Sequence, residues 1–383
     1  MAERLRVALI AGGLGLGGAE KQLVYLARSL LTLGVDLRIY CITRGEHFEE
    51  QLSSLGLTPT WIGRFSNPLV RAIHLAALLR EFRPHILQSA HFFTNLYAVI
   101  ASRLLGSISI GAVRSDIAYE VEGNGVWGPW LLRTPSALLA NSHAAQCNAG
   151  QWGIPSAKIH VLPNVIDLRD FDRQALAVRL SLAAPHEVLV FAVGSLLPVK
   201  RLDRFLKALA LARQETAHIH GVIIGDGPEK ADLQACARSL GLLPNGVCFY
   251  GSSKEVPSLL KIADLLALTS DNEGFPNVLI EAMAAGLPVI TTPAGDAGSI
   301  VQDRVTGYVV PFDDLQSMAG HLVNLARSPD VRQRLGEAGR RRVELQYSIE
   351  SLPARLLAAY TQIAQQKDDQ RLLQVLRVTY AQA

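Results

Sequence analysis

The chain has 383 residues, 49% of them apolar and 19% charged, with a formal net charge of +3. That length exceeds what one hydrophobic core usually serves, so two domains are expected, and the composition excludes disorder. So small a charge gives no ground for nucleic-acid binding, although a mildly basic surface is compatible with an anionic membrane.

The opening residues, MAERLRVALIAGG, mix acid and base and run into a glycine turn, which reads as a first strand (Leu5 to Ala11) and not a signal peptide. A helix is expected from Ala19 to Leu33 and a strand from Val35 to Ile42. Short apolar runs follow at His85–Gln88, Ile108–Val113 and Ala137–Ala140, with helical stretches between. The apolar segment Leu96 to Val113 carries Arg103 and breaks at Gly106, so it reads as helix then strand rather than a membrane span. A second series of strands is expected at Val188–Val193, Ile219–Ile224, Val247–Tyr250, Leu265–Leu268 and Val289–Thr292. The charged stretch between the series reads as a linker. The tail from Ser348 repeats Leu352, Leu356, Leu357, Tyr360 and Ile363 at helical spacing.

Alternation of this kind implies βαβ units and parallel sheets. The expected fold class is α/β, with two doubly wound, Rossmann-like domains facing across a cleft. The expected bounds are 1–168 for the first domain, 169–187 for the linker and 188–351 for the second domain. A C-terminal helix, 352–383, would pack back on the first domain. Cys41, Cys147, Cys236 and Cys248 are far apart with no C-x-x-C, which argues against zinc or disulfides and for a reducing cytoplasm.

The segment SDNEGFPNVLIEAMAAGLPVITT, Ser270 to Thr292, reads as strand end, loop, helix, glycine stop and next strand. Pro276 suits the first helical turn and Gly286 the left-handed stop. Such a helix start offers free backbone N–H groups and a positive dipole end at the carboxyl edge of a strand, which suits an anion. Glu273 and Glu281 bracket it. Eight helical residues span about 12 Å, whereas paired glycosidase carboxylates lie within about 10 Å. The spacing fits an elongated ligand with hydroxyl-rich ends and phosphates between, that is, a nucleotide-sugar. It also fits a plain capping glutamate and an ordinary helix residue.

The stretch EGFPNVLIEAMAAGLPVI resembles the E-x7-E signature of retaining GT-B glycosyltransferases, glycosyltransferase family 4. Further landmarks agree in order: GGAE (Gly17–Glu20), NS (Asn141, Ser142), PNVID (Pro163–Asp167), GDGP (Gly225–Pro228) and TGYVVP (Thr306–Pro311). The resemblance covers nearly the whole chain. It implies that Glu273 holds donor-sugar hydroxyls and that Glu281 holds the ribose. Backbone around Gly274, Phe275, Pro276, Asn277 and Val278 would meet sugar and diphosphate, with Gly225, Tyr250 and Gly251 around the nucleotide. The family's G-R-L-x-x-x-K-G stretch is GSLLPVKR here: Lys200 matches, Ser195 replaces the Arg, and Arg201 replaces the final Gly. Lys200 and Arg201 are the candidates for stabilising the departing diphosphate. Arg114, in IGAVRSD, stands where the family often has a His; it cannot act as a base and would bind phosphate or hydroxyl. His91 is a second candidate near the reacting carbon. Ser299 replaces a usual Glu.

Gly13, Gly15 and Gly18 spell G-x-G-x-x-G, the dinucleotide fingerprint. That fingerprint needs an acid closing the second strand, where Thr43 and Arg44 stand instead. Gly17 and Gly18 are therefore expected to approach the donor diphosphate.

The expected activity is retaining transfer of a hexose from a nucleoside-diphosphate sugar, UDP rather than GDP, to a saccharide or lipid-linked hydroxyl in bacterial surface-polysaccharide or glycolipid synthesis. No cofactor and no metal are expected, nor any nucleic-acid partner. The expected location is the cytoplasm, at the inner face of the membrane. Rival readings are a nucleotide-sugar epimerase or hydrolase of the same architecture, an NADP-dependent oxidoreductase using Arg44, and a non-catalytic relative.

Overall fold

The computed structural model describes residues 3–175 and 187–382. The chain forms two compact units: residues Met1–Val165 with Ile349–Ala383, and residues Ile166–Ser348. Unit 1 carries β1 (Arg6–Ala11), β2 (Asp36–Cys41), β3 (Thr60–Trp61), β4 (Ile86–Ser89), β5 (Ile108–Val113), β6 (Ala137–Ala140) and β7 (Ile159–Val161). Unit 2 carries β8 (Val188–Val193), β9 (Ile219–Ile224), β10 (Val247–Gly251), β11 (Leu265–Leu268), β12 (Val289–Thr291) and β13 (Gly307–Val309). The sheet orders are β3-β2-β1-β4-β5-β6-β7 and β10-β9-β8-β11-β12-β13. Every pairing is parallel.

Both sheets are covered on both faces, and the strand residues show it. In β1, Val7, Leu9 and Ala11 join one core cluster, whereas Ala8 and Ile10 join another. In β8, Val190 and Ala192 point one way and Phe191 the other. A strand buried on alternate sides must be continuously apolar, so these strands stand out in the sequence. The edge strands β3, β7 and β13 do not, because two or three residues carry no period. In each sheet the strand order reverses once, between β1 and β4 and between β8 and β11. Ligands of such sheets bind beyond the carboxyl ends at that reversal.

Part of the expected linker is structured. Leu168–Gln174 is a helix of unit 2, capped by Asp167, whose side chain accepts from Asp170 N at 3.1 Å. Phe171 is buried, and Asp172 pairs with both terminal nitrogens of Arg340 at 2.8 Å. The remainder of that expected linker, 176–186, lies outside the described residues. Ile349, expected in the second domain, is in the core of unit 1. The C-terminal helix is two helices, Leu352–Gln366 and Gln370–Gln382, separated at Asp368 with φ of 52°. Leu356, Leu357, Tyr360 and Ile363 join the core around β1, and Tyr360 Oη donates to Gln88 Oε1 at 2.5 Å. Among the described residues no helix is long and apolar enough to cross a membrane.

Candidate active site

The reversal point of unit 2 lies between the segments that follow β8 and β11. Lys200 closes the short helix Pro198–Lys200 after β8, and Glu273 stands in the loop after β11. Lys200 Nζ donates to Glu273 Oε1 at 2.6 Å, and Ser270 Oγ donates to the same oxygen at 2.7 Å. The carboxylate is 11% exposed, so the pair is sheltered but not sealed. Both partners are held by backbone as well. Thr269 Oγ1 donates to the carbonyls of Lys200 and Arg201 at 3.1 and 2.9 Å, and Asp271 N donates to Val199 O at 2.9 Å. Thr292 Oγ1 donates to Ser270 O at 2.6 Å, tying the loop to the end of β12. The result is a fixed cation–carboxylate pair at the mouth of the sheet.

Arg201 adopts φ 49°, a left-handed conformation that favours glycine, at the position where the resembling family has Gly. Its guanidinium is engaged: Nε donates to Asp203 at 2.9 Å and Nη1 to Asp271 at 2.9 Å. Beneath it, Arg204 is 2% exposed and donates to Thr269 O at 2.6 Å and to Asp271 at 2.8 Å. Asp203 is pushed up by burial, but the Arg201 and Lys207 hydrogen bonds outweigh this and hold it at about 2. Ser195 is exposed in the loop after β8. That loop is zipped to the GDGP turn, with Leu196 N donating to Asp226 O at 3.0 Å and Glu229 N to Leu196 O at 3.1 Å. A Cβ on Gly225 would lie 1.9 Å from Gly194 O, and one on Gly227 2.6 Å from Leu196 O, so both glycines are required by close backbone approach.

The helix expected at the anion site runs Asn277–Ala284, with Pro276 at its N-cap rather than inside it. Residues 273–276 are therefore loop, and the all-helix span assumed between Glu273 and Glu281 is corrected. Gly286 ends the helix at φ 81°. Gly274, Phe275 and Pro276 are buried; the Phe275 ring packs edge-on to Tyr347, with centroids 5.6 Å apart. Phe275 belongs to the buried core of unit 2. Asn277, Val278 and Glu281 are half-buried. Gly295, at φ 54°, touches the loop from behind: a Cβ there would lie 2.1 Å from Glu273 O. On the far side of the sheet, Gly225 N donates to Gly251 O at 2.9 Å, and Tyr250 is half-buried at the end of β10.

The reversal point of unit 1 gathers a second cluster. Gly12 N, after β1, donates to His91 Nδ1 at 3.0 Å. His91 follows β4, and its Nε2 faces Glu20 Oε1 at 3.1 Å. Because Nδ1 accepts, the neutral ring carries its proton on Nε2 and donates to Glu20. Burial raises Glu20, but the His91 hydrogen bond and its own backbone N–H outweigh it, so the carboxyl sits below its ordinary value. Arg114, at the end of β5, donates from Nε to Ala90 O at 3.3 Å, and its N–H to Glu120 at 3.2 Å. Burial lowers its guanidinium to about 10, still a cation at neutral pH, and raises Glu120. Asn141 Nδ2 donates to Arg114 O at 2.8 Å. Sequence reading singled out His91 and Arg114. It missed Glu120 and the role of Glu20, although GGAE had been noted.

The glycine loop after β1 is also occupied. The Glu46 carboxylate accepts from Leu14 N and, at 2.8 Å, from Thr43 Oγ1. An acid thus stands just beyond β2 after all, but its oxygens bind the loop itself. Arg44 lies over the Trp61 ring, 4.4 Å from the centroid. Gly17, extended at φ −157°, caps the helix Gly18–Thr32, and a Cβ there would strike Glu20.

The family model described as Glycosyltransferase Family 4 matches residues 16–170, and that described as Glycosyl transferases group 1 matches residues 179–342. The N-acetyl-alpha-D-glucosaminyl L-malate synthase of Bacillus anthracis is 27% identical over 58% of this chain and 58% of its own. A GDP-mannose-dependent alpha-(1-6)-phosphatidylinositol monomannoside mannosyltransferase of Mycobacterium tuberculosis is 31% identical over 58% of this chain and 60% of its own. The matched stretches are thus less than two thirds of either relative. The crystal structure of Anabaena HepE in complex with UDP-glucose superposes with a TM-score of 0.79 at 20% identity, covering 96% of this chain and 100% of that one. With both sheets in this order and a glycosyltransferase family matched to each part, the chain is a glycosyltransferase of the GT-B type.

Proposed function

We propose that the enzyme transfers a hexose, with retention, from UDP-hexose to a hydroxyl of a saccharide or lipid-linked acceptor in bacterial cell-surface polysaccharide or glycolipid synthesis. The observation that carries this reading is the Lys200–Glu273 pair at the mouth of β8 and β11, beside the start of the helix Asn277–Ala284. In the free protein the carboxylate accepts from an ammonium and a hydroxyl; with donor present, sugar hydroxyls take up its remaining lone pairs. Lys200 then turns to the diphosphate, joined there by the helix N-terminus. Glu281, one helix turn further on, accepts the ribose hydroxyls. Arg201 is engaged with Asp203 and Asp271 and acts by holding this corner in shape. Charge on the leaving diphosphate is borne by Lys200 and backbone N–H groups, without a metal or other cofactor.

Unit 1 supplies the acceptor side. Arg114 binds phosphate or hydroxyl, and His91, oriented by Gly12 and Glu20, faces the acceptor. No side chain of the donor loop is placed as a nucleophile, so the leaving phosphate itself takes the acceptor proton during same-face departure and attack. UDP is favoured because HepE was crystallised with UDP, with UDP and glucose, and with UDP-glucose.

The test is calorimetric binding of UDP, GDP and NADP to the wild type and to Glu281→Ala, followed by transfer from radiolabelled UDP-sugars to lipid and saccharide extracts. UDP binding that weakens about tenfold or more in Glu281→Ala is expected, the loss of a charged hydrogen-bond partner being about 1.5–3 kcal/mol. Binding of NADP alone would overturn the reading. Sugar release with no acceptor present would favour the hydrolase rival.

A further inference from the structure

The segment DIAYEVEGNGVWGPWL, Asp116 to Leu131, folds back on itself as two short helices, Ile117–Gly123 and Gly128–Arg133. Gly125 takes φ 53° between them, and a Cβ on Gly128 would lie 2.0 Å from Val121 O, so the second helix can start against the first only with glycine there. Asn124, in this turn, stands at the junction of two cavities of about 410 Å³ each. One has aromatic walls, Phe93, Tyr97 and Trp127, with Asn67 at its edge; the other is walled by Tyr119, Glu120 and Glu122. Either volume falls within the range of about 300–1,000 Å³ usual for small-molecule pockets. Trp127 is 58% exposed and stands edge-on to Trp130, with centroids 6.4 Å apart. Phe93 connects the aromatic cavity to the polar cluster, since its ring stacks on His91 with centroids 5.8 Å apart.

The polar groups of this lining have hydrogen-bonding capacity to spare. Asn67 Oδ1 caps the helix Pro68–Leu79, accepting from Leu69 N at 2.9 Å, which leaves its Nδ2 to donate. Asn124 Nδ2 donates to Glu120 O at 2.8 Å, which leaves its Oδ1 to accept. The charged residues that line the two cavities are Glu120 and Glu122, both acids. A third acid, Asp116, caps the helix Ile117–Gly123, its Oδ1 accepting from Ala118 N at 2.8 Å. Arg64, Arg71 and Arg114 are engaged outside the lining. Arg64 lies over the Phe65 ring, Arg71 donates to Tyr97 Oη at 2.7 Å and to Phe65 O, and Arg114 donates to Ala90 O. A phosphate or carboxylate seated here would therefore meet like charge first. An acyl chain would strip water from two carboxylates and return no hydrogen bond. A pyranose suits both halves, because its C–H face covers an aromatic ring while its hydroxyls donate to carboxylate and amide oxygens.

We infer that the joined cavities take a saccharide free of anionic groups, a disaccharide or longer, with ring faces on Phe93 and Trp127 and hydroxyls on Asn124 and Glu122. That this saccharide is the acceptor rests on the function proposed above, and it brings Arg114 a hydroxyl rather than a phosphate. The site itself stands without that reading.

The experiment probes the full chain, fluorescently labelled, on an array of neutral, phosphorylated and uronic-acid saccharides, from single sugars to oligosaccharides. Binding should be confined to neutral disaccharides and longer chains. Trp127→Ala should weaken it about tenfold, the scale of a lost aromatic stack, without lowering Tm, because the ring is largely exposed. Glu122→Lys, at an exposed position, should admit phosphorylated saccharides that the wild type rejects, a gain that a merely structural glutamate would not give. Leu345→Gln, changing a residue 79% exposed in unit 2, should have no effect. Equal binding of phosphorylated and neutral saccharides, no binding at all, or undiminished binding by Trp127→Ala overturns the inference. So does displacement of the bound saccharide by octanol or by an oligolysine peptide, which would make this an apolar-chain or basic-peptide site. Calorimetry with UDP on the same variants should be unchanged, since Lys200, Glu273 and Glu281 lie in unit 2. A neutral saccharide held at Trp127 but never glycosylated from a UDP-sugar would end the acceptor reading and leave the site standing; transfer to phosphorylated acceptors alone would do the reverse.

Discussion

At the scale of single residues, the Lys200–Glu273 pair joins side chains 73 positions apart, at 2.6 Å. The proposed role of Glu273, accepting from donor-sugar hydroxyls, gives a sharp expectation for Glu273→Gln. The amide keeps the shape but offers half the acceptor capacity and no charge, so transfer should fall about a hundredfold or more while UDP affinity changes little. Single-turnover transfer and calorimetry on the same variant check this; loss of UDP binding together with activity would show a structural role only. The ion pairs around Arg201 give a pH expectation. Asp203 is held at about 2 against an ordinary 3.8, so its contribution to stability is complete above about pH 4 and is lost as pH falls through 2. Asp203→Asn should therefore flatten the fall in urea midpoint between those values, by no more than about 1 kcal/mol because the pair is partly exposed. A wild-type and variant pair with the same acid limb would refute it.

At the scale of elements, the tight loops after β8 and β9 meet in close backbone contact. Gly225→Ala would bring a methyl to 1.9 Å from Gly194 O, where only backbone could yield. Overpacking of that kind costs about 2–3 kcal/mol, a fall of roughly 4–12 °C for a unit of this size. Gly15→Ala, with nothing within 4 Å, should be neutral in the same calorimetric comparison. The strands that carry these loops were readable, because residues such as Val7–Ala11 and Val188–Ala192 must be apolar on both faces. Glu273 and Gly286 were readable too, as an acid before the helix and a glycine after it, whereas Lys200 was singled out only through the family resemblance and its contact with Glu273 was not foreseen. Other features were not. Arg201 in a left-handed conformation, Glu46 turned back on the glycine loop and Glu20 against His91 all depend on where distant segments meet. The helix Leu168–Gln174 was taken for linker because a single buried residue, Phe171, anchors it in a charged sequence.

At the scale of the molecule, unit 1 is completed only by the last residues of the chain. Leu356, Leu357, Tyr360 and Ile363 are all 1% exposed or less. Burying each such side chain stabilises by about 1.5–3 kcal/mol, so their sum rivals the roughly 5–15 kcal/mol that holds a whole domain folded. A chain ending at Ser348 should consequently bind a hydrophobic dye and precipitate; a soluble, cooperatively melting product would refute this. The two crossings of the chain, at Val165–Ile166 and Ser348–Ile349, also meet in space: Ile166 and Ser348 form a parallel bridge, and Ile166 N donates to Tyr347 O at 2.8 Å. Unit 2 is in effect a cassette with its two ends side by side. A recombination event replacing codons 166–348 would exchange Lys200, Glu273 and Glu281 together and leave the His91 cluster untouched. On the function proposed above, donor choice then changes as a block while the acceptor side is inherited intact.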